Sequence, residues 1–387
     1  MTRLTTFPVT VVGSWPRPQW LLDGLRKKRE GQISDAEFQK IADDAVLLAL
    51  KYQEDAGIDI VTDGEQRRDN FYSFVADRLE GIRLVTVADL LDTVRDRAKF
   101  EDILRRLDVP AFAIRNPVAI EKVERRRPLV LDDYHFTKNH TGAEIKVTLP
   151  GPYLLSRSSY IQGLSLHYGN REELATDIVA ILREEIRELA EAGVDFIQLD
   201  EPSLTDAVYG EVGVETFMCA ALLTRMDPKE ELETATRLVN ETVKGISGVK
   251  LGMHVCRGNW SRKEDVLLKG SYEPLVPYLV DMKIDQLVLE FATPRAGSVE
   301  VFKEYPSAKE LGLGVVNPRS DEVETPETIV NRVKEALKYF DPDKIFLNPD
   351  CGFGTFSEVH LNTPQQAFMK LRSIVAAAKM LRKEYGE

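Results

Sequence analysis

The sequence predicts an α/β fold, a TIM (β/α)8 barrel with one insertion after the second strand, and three observations carry that expectation. Short apolar runs alternate with longer amphipathic segments along the chain, which is the βα rhythm of a parallel sheet. Eight such runs fit into the 387 residues. Polar residues able to do chemistry, Ser14, Glu65, Asp200, His254, Cys256, Glu290, Asn317 and Cys351, fall at or just beyond the C-terminal ends of successive runs. In a barrel those ends converge on one face, where active sites are built. A doubly wound sheet, the alternative, would not require that coincidence.

Val9 to Gly13 reads as the first strand, and Ser34-Asp-Ala-Glu37 as a capping box opening a helix that runs to about Asp55, with Gly57 ending it. Ile58 to Gly64 is the second strand. Residues 72 to about 142 break the rhythm, with helical pieces around 87–107 and a stretch from Pro110 to Pro117; they read as an insertion within a single catalytic domain spanning 1–387. The rhythm resumes at Glu144 to Leu149, followed by a helix over 171–192 capped by Asn170. Asp195 to Glu201 is the fourth strand, 228–244 a helix, and Val249 to Cys256 the fifth strand. A short helix near 272–280 precedes Asp285 to Glu290. Gly312 to Val316 and Lys344 to Asn348 complete the set. Thr325-Pro326 and Thr363-Pro-Gln-Gln366 open the last two helices.

Composition narrows the function. The chain is 43% hydrophobic and 29% charged, ordinary for a globular enzyme, and its net charge of −12 argues against nucleic acid as a partner. The basic run Glu121 to Arg127 is interleaved with acids and reads as solvated surface. No secretory signal and no run of about 18 apolar residues occurs, so the expectation is a cytoplasmic protein without membrane contact. Three cysteines make no disulfide framework. Cys219, in an apolar setting, reads as core packing.

Met253-His-Val-Cys256 sets an imidazole and a thiol two residues apart at a strand end, hence on one face. Alone, the pair is weak evidence of a metal site, and a strand end with a buried thiol is the simpler reading. Glu290 and Cys351 arrive at the same face if the barrel is right, and two thiolates, one imidazole and one carboxylate suit Zn2+. Glu290 also has a simpler partner nearby in Arg295. Ligands drawn from separate strands indicate a catalytic site held by a rigid scaffold. Such a site activates a thiol: free thiols are mostly protonated at neutral pH, and the metal-bound form is the thiolate nucleophile.

Thr10-Val-Val-Gly-Ser-Trp-Pro16, Asp63-Gly-Glu-Gln-Arg67, Ile197-Gln-Leu-Asp-Glu-Pro202, Met253-His-Val-Cys256, Leu289-Glu290 and Asn348-Pro-Asp-Cys-Gly352 resemble, in order and over nearly the whole chain, the catalytic half of cobalamin-independent methionine synthase. The resemblance implies zinc-dependent methyl transfer to homocysteine, with His254, Cys256, Glu290 and Cys351 as ligands. It further implies that Ser14 and the adjoining backbone at Gly13 hold the homocysteine carboxylate, while Glu65 and Asp200, the residues expected to matter for catalysis, hold its ammonium. Two acids and a backbone turn at one barrel mouth also suit an amino-acid zwitterion on their own chemistry.

Three departures bear on the methyl donor. The second, N-terminal barrel of the full-length synthases is absent; the loop Leu149 to Arg157 lacks the tryptophan that stacks the pterin; and Arg319 stands where the family carries a histidine. An arginine cannot supply a proton at neutral pH. These departures lead to the expectation of a core-type enzyme taking its methyl group from a methylated corrinoid, methylcobalamin or a corrinoid protein. Methyltetrahydrofolate is the alternative donor, and coenzyme M the alternative thiol. Glu65 and Asp200 weigh against coenzyme M, whose sulfonate would want basic partners.

Overall fold

The computed structural model describes residues 5–86, 114–209, 227–357 and 361–385, together with 88, 89, 98, 101, 102, 105, 108 and 359. Seven parallel strands lie side by side: β1 (Ile60–Val61), β4 (Glu144–Pro150), β5 (Phe196–Asp200), β6 (Lys250–Val255), β7 (Gln286–Leu289), β8 (Glu310–Val316) and β9 (Ile345–Pro349), in that spatial order. The eighth position belongs to the first apolar run. Val9 bridges Leu347 on β9 and Thr10 bridges Ile60 on β1, both in parallel, so this short segment joins the two edges of the sheet and closes the barrel. Thr10 N donates to Leu347 O at 3.0 Å and Leu347 N to Pro8 O at 2.8 Å.

The helices form where the sequence caps them. Ser34 and Glu37 make the reciprocal capping box of the helix Asp35–Ala56, which Gly57 ends at φ +84°. Asn170, Asp227 and Thr325 each accept a backbone N–H at the starts of Arg171–Glu191, Pro228–Thr242 and Pro326–Ala336. Thr363 and Gln366 exchange hydrogen bonds at the start of Pro364–Tyr385. Their apolar stripes pack onto the outer faces of the strands, giving one continuous core. No helix among the described residues is long and apolar enough to cross a membrane.

The stretch after the second strand holds more order than its sequence suggested. β2 (Leu79–Thr86) and β3 (Arg115–Arg125) pair antiparallel outside the barrel sheet. Pro117 pairs with Leu84 in this two-stranded ribbon, where a residue lacking an N–H is tolerated because both strands are edges. The ribbon shifts register between Glu80 and Ile82, at Gly81, where a Cβ would lie 2.2 Å from Lys122 O. Within the run read as solvated surface, Val123 is buried, and Arg125 reaches back to Glu185 and Glu188 on a barrel helix. Most of the helical region expected around 87–107, and Cys219, lie outside the described residues. Four further helices, Gln19–Arg29, Leu131–Lys138, Pro152–Ser159 and Ser203–Tyr209, were not anticipated.

Inside the barrel the layers differ in character. Ile60, Phe196 and Phe346 pack together toward the strands' N-terminal ends. Toward the C-terminal ends the inward positions turn polar: Lys146 and Thr148 on β4, Gln198 and Asp200 on β5, His254 on β6. That polarity gradient points the chemistry at one mouth.

Candidate active site

Each strand end delivers one part of the site. Position His254 on β6 is in register with Asp200 on β5, so the two side chains meet: His254 Nδ1 lies 3.2 Å from Asp200 Oδ1. Cys256 follows two residues later on the same face. Cys351 arrives from the loop after β9, and one ligand atom each from His254, Cys256 and Cys351 lies within 4.8 Å of the others. All three residues are buried.

The donor set fits a soft divalent ion. His254 Nε2 is buried and makes no hydrogen bond, while Nδ1 is oriented by Asp200, the usual arrangement for a metal-ligating imidazole. Without metal the cluster holds its protons unevenly. A hydrogen bond from Cys351 brings the Cys256 thiol down to about 7 and leaves Cys351 raised. Burial lowers His254, but the Asp200 hydrogen bond and the charge of Cys256 outweigh it and lift the imidazole to about 9. A cation entering this cluster replaces protons the side chains already gather there.

Glu290 sits beside the three rather than among them. Its carboxylate receives Arg295 Nη2 at 2.8 Å, Arg257 N at 3.3 Å and Arg319 Nη1 at 3.5 Å. Burial would raise its pKa, yet Arg319, Arg295 and Arg257 together hold it below the ordinary value. Its charge still acts on both His254 and Cys256. Arg319 is enclosed by Glu264, Glu290 and Asp350, which keep it charged.

A pocket of about 430 Å3 opens on the cluster, lined among others by Ser14, Glu65, Asp200, His254, Cys256 and Cys351. Glu65 stands in the left-handed region at φ +55°. Its Oε1 accepts from Thr148 Oγ1 at 2.9 Å, whereas Oε2 is buried without a partner and available to a ligand. Gly13 lies behind Glu65: a Cβ there would fall 2.3 Å from Glu65 Oε1. Ser14 Oγ accepts from Gly354 N at 3.3 Å, and Gly352 lets the Cys351 loop pass close to that hydroxyl.

Several residues that build the site were missed. Arg17, buried, donates to Glu65 O at 3.0 Å and Arg68 O at 2.9 Å, and also to Gly354 O, tying three loops together. Asn259 Nδ2 donates to Gly352 O at 2.8 Å and its Oδ1 accepts from Arg319 at 3.2 Å, joining the loops after β6, β8 and β9. Glu201 accepts from Tyr153 N and Leu154 N, each at 2.8 Å, anchoring the loop after β4. Lys146 is buried below Thr148 on β4. Burial pulls it down to about 7 against the attraction of Asp200 and Glu65. The signal for Lys146 was present: polar residues alternate with apolar ones in a strand expected to be buried on both faces.

A parallel barrel with an imidazole and two thiols converging on a pocket at its C-terminal mouth has the form of a barrel enzyme whose cluster could hold a metal ion. The model of the family "cobalamin-independent synthase, catalytic domain" matches residues 7–380. The chain belongs to that family, and it is an enzyme, a methyltransferase of the methionine synthase type. A methionine synthase of Sulfurisphaera tokodaii is 34% identical over 385 residues, covering 99% of this chain and 95% of the relative. One from Saccharolobus solfataricus is 32% identical, covering 99% and 97%. The structure of a B12-independent methionine synthase from a Shewanella species, in complex with selenomethionine, aligns with a TM-score of 0.73 at 26% identity, over 98% of this chain and 99% of that one. A chain from Listeria monocytogenes, at 21% identity and a TM-score of 0.71, has the same fold.

These findings overturn the expected corrinoid donor and corrinoid-protein partner. The family is the cobalamin-independent one. The argument from length also fails, because relatives named methionine synthase, including a B12-independent one, match this chain almost end to end.

Proposed function

We propose that this enzyme methylates the thiol of homocysteine to give methionine, with Zn2+ as the metal and methyltetrahydrofolate as the methyl donor. The observation that carries the reading is one pocket in which a His254, Cys256 and Cys351 cluster faces two buried acids, Glu65 and Asp200. The cluster suits a thiol and the acids suit an ammonium, and homocysteine carries both. Ser14 and the backbone beside it at Gly13 would take the carboxylate of the zwitterion. The donor follows from membership of a family that works without cobalamin.

His254, Cys256 and Cys351 would hold the ion. When bound, Zn2+ supplies the Lewis acidity that keeps a substrate thiol as thiolate at neutral pH. Glu290 would be the fourth ligand, a carboxylate that suits such an ion less well than sulfur does. Arg295, Arg257 and Arg319 hold its carboxylate beside the cluster. Asp200 keeps the imidazole of His254 oriented, while Glu65 Oε2 is free for the substrate ammonium. The sulfur would attack the methyl carbon as the bond from that carbon to the folate nitrogen breaks, the electron pair staying on nitrogen, which takes from solvent a proton equivalent to the one the thiol released and leaves as tetrahydrofolate. Arg319 remains ion-paired throughout and takes no part in that proton transfer.

The test is methionine formation by the zinc-loaded protein from L-homocysteine and methyltetrahydrofolate, followed by mass spectrometry, with coenzyme M as an alternative thiol that should not be methylated. Cys256→Ala and Cys351→Ala should lose zinc and activity together. Activity persisting in metal-free Cys351→Ala, or no methionine from the folate donor, refutes the reading.

A further inference from the structure

The carboxylate of Glu65 is held from behind by two residues that do not line the pocket, Thr148 and Arg68. Glu65 Oε1 accepts from Thr148 Oγ1 at 2.9 Å, and that hydroxyl in turn accepts from Arg68 Nη1 at 3.1 Å. With its one hydrogen given to Glu65 and a lone pair filled by Arg68, the hydroxyl has a fixed direction. Arg68 Nη2 donates to Thr148 O at 3.1 Å, and its guanidinium lies 4.3 Å from the ring centroid of Phe74. Phe74 belongs to the turn Ser73–Asp77 that leads into β2, so the root of the ribbon packs on this arginine. Arg68, Thr148 and Phe74 are all buried. Gly13 leaves room for the carboxylate: a Cβ there would lie 2.3 Å from Glu65 Oε1 and 3.0 Å from Thr148 Cγ2.

Arg295 and Arg319, at the same mouth, end directly on carboxylates, 2.8 Å from Glu290 and 2.9 Å from Glu264. Arg68 does not. Its Nη1 stops 3.9 Å from Glu65 Oε1, with the threonine hydroxyl interposed. A direct two-bond pair with an arginine would occupy both carboxylate oxygens and leave neither for an ammonium. The interposed hydroxyl lets Arg68 fix the carboxylate through Oε1 alone, while Oε2 keeps no protein partner in a residue that lines the pocket.

We propose that Arg68 and Thr148 are positioning residues for the amino-acid substrate: a relay from the Arg68 guanidinium through the Thr148 hydroxyl to Glu65 Oε1 aims Oε2 at the substrate's ammonium. The inference rests on the reading of that substrate as homocysteine. Both residues act through Glu65, so their effect is confined to the amino end of the ligand.

The experiment is calorimetric titration of the zinc-loaded protein and of Thr148→Val, Thr148→Ser and Arg68→Met with two thiols: L-homocysteine, and 4-mercaptobutanoate, which lacks only the amine. The quantity read is the ratio of the two affinities, the weaker thiol being measured in competition with the tighter. In the parent it should favour homocysteine. Thr148→Val keeps the shape of the side chain but loses the hydroxyl, and losing one hydrogen bond to a charged group should cut the ratio about tenfold. Arg68→Met should cut it in the same direction, and Thr148→Ser should retain the parent ratio. An equal loss for both thiols, which a general loosening of the barrel would produce, leaves the ratio unchanged and overturns the proposal, as does a parent ratio kept by Arg68→Met. Should Arg68→Met fail to fold, the valine and serine variants at position 148 still decide. If the parent itself binds the two thiols alike, the reading of the substrate as homocysteine has failed instead.

Discussion

Replacing Glu290 by Gln tests how this site stores its carboxylate. Glu290 is fully buried among Arg295, Arg257 and Arg319, and with Glu264 and Asp350 it forms a cluster of three acids and three arginines. Glutamine retains the shape and can still accept from Arg295 and from Arg257 N, but leaves the cluster with one uncompensated positive charge. Breaking a buried ion pair from one side costs about 3–5 kcal/mol, and the retained hydrogen bonds place this change near the lower end, about 3 kcal/mol. With a urea slope of about 3 kcal/mol per M for a chain of this size, the midpoint should fall by about 1 M. The assay is urea unfolding of the metal-free protein, where no ligand bond contributes. A midpoint unchanged from the parent would refute the ion-pair argument. Zinc retention adds a second readout: Glu290→Gln should hold zinc more weakly alone and recover when homocysteine supplies its thiol.

Gly352→Ala should be damaging for a steric reason, because the new Cβ would lie 2.0 Å from Ser14 Oγ; stability should drop by about 1–3 kcal/mol and homocysteine binding should weaken, as read by thermal melting and titration. Glu201 gives a pH signature. Burial lifts its folded pKa to about 8, despite the amides of Tyr153 and Leu154 that favour its charge, whereas an unfolded glutamate titrates near about 4.3. The native state therefore holds a proton that the unfolded chain has released between those values. This contribution to stability is full below the lower pKa and is lost as pH rises to 8, by at most about 1.4 kcal/mol per pH unit. Denaturation at several pH values should show that decline, and Glu201→Gln should flatten it. A slope identical in parent and variant would assign the effect to another group.

Much of the architecture was legible because local rules decided it. The capping boxes at Ser34 and Thr363, the caps at Asn170 and Thr325, and Gly57 all mark helix ends by bonds to residues three or four away. The ribbon of β2 and β3 was not legible, since its pairing joins residues as distant as Leu79 and Arg125 and its sequence carries charges and a proline. At the site, His254, Cys256 and Cys351 could be named from residue type and strand ends. The position of Glu290 could not: whether a carboxylate turns to the cluster or to Arg295 depends on charges brought from three loops. The donor could not be read from chain length either, since relatives named methionine synthase match this chain almost end to end.

By itself, then, the sequence determined the barrel, because eight apolar runs with polar ends have few other ways to bury their faces, and it determined which thiols and imidazole are available to a metal. Tertiary structure alone decided how Val9 and Thr10 close the sheet, and how Glu65 keeps one oxygen free while Arg17 fixes its loop. Periodicity and capping are short-range and written along the chain. The balance of buried charge is set by distances between residues that only folding brings together.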